Sequence, residues 1–168
     1  APWDQSSVYE PIRLHLDTEF LVLAEKDYGA EVAYLRNDLL PSVKRIWESV
    51  LRVYPVRNNI IISSSNCPVS GSFQNTTGIP QADVVIFIAA NIRSICGVAT
   101  EPFVAATSCQ YDMYDRPTVG RATVCLEDFD ATSSNSVSSL YKLLVHGFAH
   151  ILGFSHRDYQ YYFDPTTG

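Results

Sequence analysis

The stretch EPIRLHLDT sets Ile12, Leu14 and Leu16 between Arg13, His15 and Asp17, the two-residue period of a half-buried strand with His15 on its polar side. From Asn37 the period changes. Leu39, Leu40, Val43, Ile46, Trp47, Val50, Leu51 and Tyr54 recur at helical spacing, with Pro41 tolerated in the first turn, which predicts a long packing helix. After Pro55 the run NIIIS reads as a short strand, followed by a Ser/Gly/Asn/Pro-rich loop from Ser63 to Pro80. ADVVIFIAAN is apolar on both faces and β-branched, as a central strand covered on both sides would be. VAATSC and TVGRATVCL, separated by the turn-like YDMYDRP, complete a set of about five strands. Finally, SSNS offers N-caps for a last helix whose apolar stripe is Val137, Leu140, Leu144 and Phe148 and whose end is Gly153. The alternation predicts an α/β chain without internal repeats.

Composition narrows what such a chain does. At 168 residues, one domain with a substantial core is expected. Its 46% hydrophobic and 18% charged residues, against about 25% charged in ordinary soluble domains, argue against disorder. A net charge of −6 gives no basic footprint for phosphate backbones, so nucleic acid is not an expected partner. The longest apolar run, Val84 to Ala90, falls far short of the roughly 20 residues of a membrane-spanning helix, so no transmembrane segment is expected. With neither an initiator Met nor a basic-plus-apolar leader, the chain reads as a processed protein or a fragment. Cys67, Cys96, Cys109 and Cys125 form an even set with no CxxC pair, which favours disulfides over four buried thiols and points to an oxidising compartment. The sequon at Asn75 agrees with that setting.

The candidate chemistry lies in HGFAHILGFSH. His146 and His150 stand one helical turn apart and can share a metal at about 2.0–2.1 Å from each nitrogen. Gly153 permits the turn after which His156 can swing back as a third ligand, the open arrangement of a catalytic zinc site. A helical His pair alone is as readily a surface feature; the glycine and the third His are what strengthen the metal reading.

This stretch resembles the metzincin zinc-peptidase signature HExxHxxGxxH, with its Glu replaced by Gly147. It resembles leishmanolysin-type surface metallopeptidases in particular, through His150-Ile151-Leu152-Gly153-Phe154-Ser155 and, upstream, ADVVIFIAA, the run ending Cys109-Gln110, Arg116 to Gly120, and Cys125. The likeness extends from about Ile12 to Asp164. It implies a metzincin-like α/β (α+β) domain: a twisted mixed sheet of about five strands, a long packing helix and a C-terminal zinc-site helix. Zinc is the implied cofactor, weakly held or absent, on His146, His150 and His156, although leishmanolysins place the third ligand further downstream. An extended peptide would lie along an edge strand at Ala105, Ala106, Thr107 and Ser108. The resemblance also implies the bridges Cys67–Cys109 and Cys96–Cys125.

At position 147 the family's Glu is the general base for the zinc-bound water, and general acid–base help is typically worth about 10²–10⁴-fold. Gly147 has no side chain for that task. The family's Met-containing turn has no counterpart either, Met113 being upstream, so residues 1–168 are expected to be one N-terminal leishmanolysin-like domain lacking its C-terminal subdomain. The reading is a pseudopeptidase, secreted or on the cell surface, whose partners are proteins, peptides or other chains of a surface assembly. The alternative is an active zinc endopeptidase in which Gly147 is a variant or a reading error. Gly147→Glu is expected to be accepted by the helix and to stabilise it, since a mid-helix glycine costs about 0.8–1.0 kcal/mol relative to alanine. Asn75, in a loop too polar for a core, is expected to carry an N-glycan in a glycosylating host; intact mass should fall after glycosidase treatment, and an unchanged mass would contradict this.

Overall fold

The computed structural model describes residues 8–63, 67, 77–97 and 103–162; Asn75 lies outside them. The first stretch read as one strand divides into β1 (Glu10–Pro11) and β2 (Leu14–Asp17). It breaks because backbone donors between the two find partners off the ladder. Ile12 donates to the Leu51 carbonyl at 3.0 Å and Arg13 to Asp83 Oδ2 at 2.9 Å, while Leu14 donates to Glu48 Oε1 at 2.9 Å. β1 therefore pairs antiparallel with β3 (Arg52–Val53), and β2 enters the main sheet. His15 is exposed as the alternation requires, but Asp17 is buried, because Oδ1 accepts the Glu19 N–H at 3.0 Å.

The packing helix begins earlier than its Asn37 reading. It runs as α1 (Glu25–Tyr34), a π-helical turn (Leu35–Leu39) and α2 (Leu40–Val50). Pro41 cannot donate back to residue 37, and the wider turn before it absorbs the missing bond instead of ending the helix. Val32 and Leu35 are fully buried, so the stripe that begins at Leu39 continues about two turns further back.

The main sheet has the order β2, β4 (Val84–Ala90), β6 (Pro117–Cys125), β5 (Phe103–Tyr111). β2, β4 and β6 run parallel and β5 antiparallel to β6, so the sheet is mixed and β5 is an edge. Among the described residues it has four strands, not about five. The NIIIS segment keeps its period, with Ile60 and Ile62 buried and Ile61 exposed, but Ile60 bridges only Ile79 and joins no strand. β4 has a core on each face. Val84, Ile86, Ile88 and Ala90 meet the helices' cluster, while Val85 and Phe87 join Ile60, Ile62, Ile79 and Val119 on the other side. Helices α3 (Arg93–Cys96) and α4 (Ser134–Ile151) complete the fold, with a 3₁₀ turn at Tyr159–Tyr161. No helix among the described residues is long and apolar enough to cross a membrane.

Two disulfides are present, Cys67–Cys109 and Cys96–Cys125, with Cα atoms 5.2 and 5.3 Å apart. The first uses an irregularity. Ser108 opposes Gly120 and Gln110 opposes Val119, which leaves Cys109 as the extra residue of a bulge and lets its side chain join the second core.

The entry to β2 is pinned by Asp83, which is 2% exposed. Its carboxylate accepts from Arg13 Nε at 3.0 Å, Arg13 Nη2 at 2.9 Å and the Val56 N–H at 2.6 Å. Burial pushes the Asp83 carboxyl up, but these hydrogen bonds and the Arg13 charge outweigh it and hold the carboxyl below its ordinary value. A depressed carboxyl contributes stability that is complete above its unfolded value of 3.8 and lost as pH falls through the folded one. Asp83→Asn should therefore cost about 2–3 kcal/mol at neutral pH, under the 3–5 of a fully buried pair because Arg13 stays partly in water, and the deficit should shrink on acidification below the unfolded value. Denaturant titrations of both proteins down the acid range check this, and a deficit independent of pH would contradict it.

Candidate functional site

Helix α4 starts where Ser133 Oγ accepts the Ser136 N–H at 3.4 Å, and its fully buried stripe is Leu140, Leu144, Phe148 and Ile151. It stops at Gly153, whose φ of +99° suits a residue without Cβ, and the Phe154 N–H closes the last turn on the Ala149 carbonyl at 3.0 Å.

This cap also orients a histidine. The Phe154 carbonyl stands 3.1 Å from His150 Nδ1 and can only accept, so Nδ1 carries the proton and Nε2 of neutral His150 presents its lone pair. That Nε2 is 2.9 Å from Nε2 of His146, with the rings edge to face at 4.5 Å. The two imidazoles thus meet at one point on the surface of α4. Two nitrogens sharing a tetrahedral zinc would stand roughly 3.3 Å apart, and a ligating His commonly donates its other N–H to a carbonyl, as His150 does. The pair fits two of the places around a zinc ion, once the proton between the nitrogens leaves.

His156 does not join them: among the described residues no three His, Cys, Asp or Glu side chains converge. The chain beyond Gly153 is drawn to the sheet instead. Phe154 stacks on Trp47 at 5.9 Å, Arg157 Nη2 donates to Thr107 Oγ1 at 2.9 Å, and the Tyr111 hydroxyl donates to Asp158 Oδ1 at 3.1 Å. His156 is left exposed between these anchors.

Ala105, Ala106, Thr107 and Ser108 lie on β5, the sheet edge beside α4. Gly147 is buried against that strand, and a Cβ there would meet Ala106 Cβ and Val104 Cγ1, both at 3.1 Å. The glycine is a close-packing residue. A Cβ here needs these neighbours to give by a few tenths of an ångström, so packing against β5 opposes the helix-propensity gain expected of Glu.

A family profile described as leishmanolysin matches residues 25–163, which takes in three of the four strands of the main sheet, β4, β5 and β6, both disulfides and the whole of α4. The chain belongs to the leishmanolysin family. Leishmanolysins are zinc metallopeptidases found as surface or secreted proteins, and both disulfides are compatible with that setting. The chain is also 29% identical over 102 residues to proteins named leishmanolysin-like peptidase from Drosophila melanogaster and Drosophila pseudoobscura pseudoobscura. The matched segment is 61% of this chain and 15% of each relative's length.

This leishmanolysin chain also holds a network that sequence reading missed. Ser108 and Tyr111 share a short hydroxyl–hydroxyl bond, and burial first, then the neighbouring Asp158 charge, pushes the Tyr111 phenol up despite the opposing Ser108 bond. Their spacing puts them on one face only because of the Cys109 bulge, which period-two reading does not reveal.

The Gly147 contact yields a test. Gly147→Ala gains up to about 1 kcal/mol of helix propensity but overpacks against β5, which typically costs about 1–3. A net loss of stability is expected. Ala106→Gly, which removes the atom that cannot rotate away, should recover part of it, with a coupling of about 0.5–2 kcal/mol in a double-mutant cycle. A higher melting temperature for Gly147→Ala alone would show that β5 yields freely.

Proposed function

We propose that this chain is a catalytically impaired leishmanolysin domain, a secreted or surface protein that keeps the peptidase scaffold and binds protein or peptide segments without cleaving them. The observation that carries the reading is at position 147. The motif asks for a carboxylate beside the metal-bound water, and here there is a glycine whose open side is covered by Val104 and Ala106. Among the described residues no Asp, Glu or Cys completes a metal-holding group with the two histidines.

Zinc, when bound, would polarise a carbonyl and acidify water. His146 and His150 would hold it, but two neutral donors make a weak site, and without a base the proton of the attacking water has no acceptor in place. The retained capacity is recognition. β5 offers an edge for an extended peptide, with Ala105 to Ser108 as the matching stretch.

Zinc content and peptide turnover test this together. The purified chain should take up zinc weakly, lose it in His146→Ala and release it on acidification, because protonated imidazole cannot ligate. It should show no chelator-sensitive cleavage of a mixed peptide library. Zinc-dependent turnover by the unmodified protein would overturn the proposal, and uptake unchanged in His146→Ala would move the metal elsewhere.

A further inference from the structure

Away from the histidines, the N-terminal turns of α4 and the π-helical turn of the packing helix border an open surface hollow of about 620 Å³, within the volume range of small-molecule sites. Ser138 on its wall is about 12 Å of helix rise from His146, so the cavity is separate from the zinc-motif end of α4. Tyr34 and Tyr141 are half-buried, their bodies packed on the main core. Tyr34 is further held against Phe129 at 6.4 Å between ring centroids. Between them stand Asp38 and the hydroxyls of Ser42, Thr132, Ser134 and Ser138.

Among the described residues Asp38 is the charged side chain of the lining, and Arg45 touches it from outside through Ser42 Oγ. The donor and acceptor balance is also definite. Ser42 Oγ accepts from Arg45 at 2.9 Å, leaving its O–H free to donate, and Thr132 Oγ1 spends its proton on Asp130 at 2.6 Å, leaving its lone pairs to accept. The side chains of Asp38, Ser134 and Ser138 and both phenols make no hydrogen bond among the described residues. Asp38 projects from the π-helical turn Leu35–Leu39, an element that recurs at functional sites.

We infer that this cavity is a binding site for a neutral polyhydroxylated ring, a monosaccharide or the terminal sugar of a glycan. A pyranose has the complementary parts: an apolar C–H face to lie on a tyrosine ring, and adjacent hydroxyls that can both donate to the Asp38 carboxylate. The aliphatic floor of Leu39, Ala131 and Val137 would shed water beneath it. For a ligand of this size in an open site the affinity is on the order of millimolar.

Saturation-transfer NMR on the whole 168-residue chain tests this, with glucose, galactose, mannose and N-acetylglucosamine as probes and glycerol as the control for non-specific polyol contact. Transfer to the ring C–H protons of at least one sugar is expected, saturable at millimolar concentration and weakened at least about 5-fold by Asp38→Asn and by Tyr141→Phe, the changes typical of a lost hydrogen bond. Both variants keep the size of the side chain, and their thermal unfolding, measured alongside, should match the parent. Binding by none of the four sugars, transfer equal to that of glycerol, or affinity unchanged in both variants would overturn the inference.

Discussion

Helix α4 lies closer to the β5–β6 hairpin than two surfaces bearing side chains could, because a glycine stands on each side of the contact. A Cβ on Gly120 of β6 would fall 2.3 Å from Ile151 Cγ2 and 3.1 Å from the Thr107 carbonyl, and one on Gly147 would press on Ala106 and Val104. That approach fixes what can be near what. It buries Phe148 and Ile151 completely, holds the imidazole pair at a defined height beside the sheet edge, and delivers the chain after Gly153 to the far end of β5. The same closeness that anchors the helix leaves a Cβ at position 147 only 3.1 Å from Ala106 and Val104.

The orientation of the histidines is inherited from further away. His150 is aimed by the Phe154 carbonyl, which is placed by the positive φ of Gly153 and by the stacking of Phe154 on Trp47. Trp47 belongs to α2, so the packing helix reaches the imidazole pair through one aromatic contact. Local sequence sets the one-turn spacing of the two histidines; tertiary contacts set where their nitrogens point.

How far the sequence could be read follows from the same division. VVIFIAA announced a strand with a core on each face, and the Leu140–Leu144–Phe148 stripe with Ser133 ahead of it and Gly153 behind it announced α4, because these signals are local and repeat over several turns or residues. The disulfide partners came from family likeness, and both bridges are present. What stayed hidden depended on a distant partner. The break after Pro11 needs Asp83, Glu48 and Leu51; the course of His156 needs Thr107 and Tyr111; the tight seat of Gly147 needs to know which strand lies opposite. The extra helical turns before Asn37 were hidden by Pro41, a residue that ends most helices and here sits after a π turn.

The two disulfides span residues 67–109 and 96–125, and these loops overlap. A single backbone cut between Cys67 and Cys109 leaves its two ends joined through the first bridge, and one between Cys96 and Cys125 leaves them joined through the second. Together they cover every peptide bond from Cys67 to Cys125, all of β4 and both strands of the hairpin included. In a protease-rich extracellular fluid, a nick anywhere in that third of the chain would leave a two-piece molecule that still runs as one species under non-reducing conditions, heavier only by the water taken up at the cut, with its halves tethered and free to re-close.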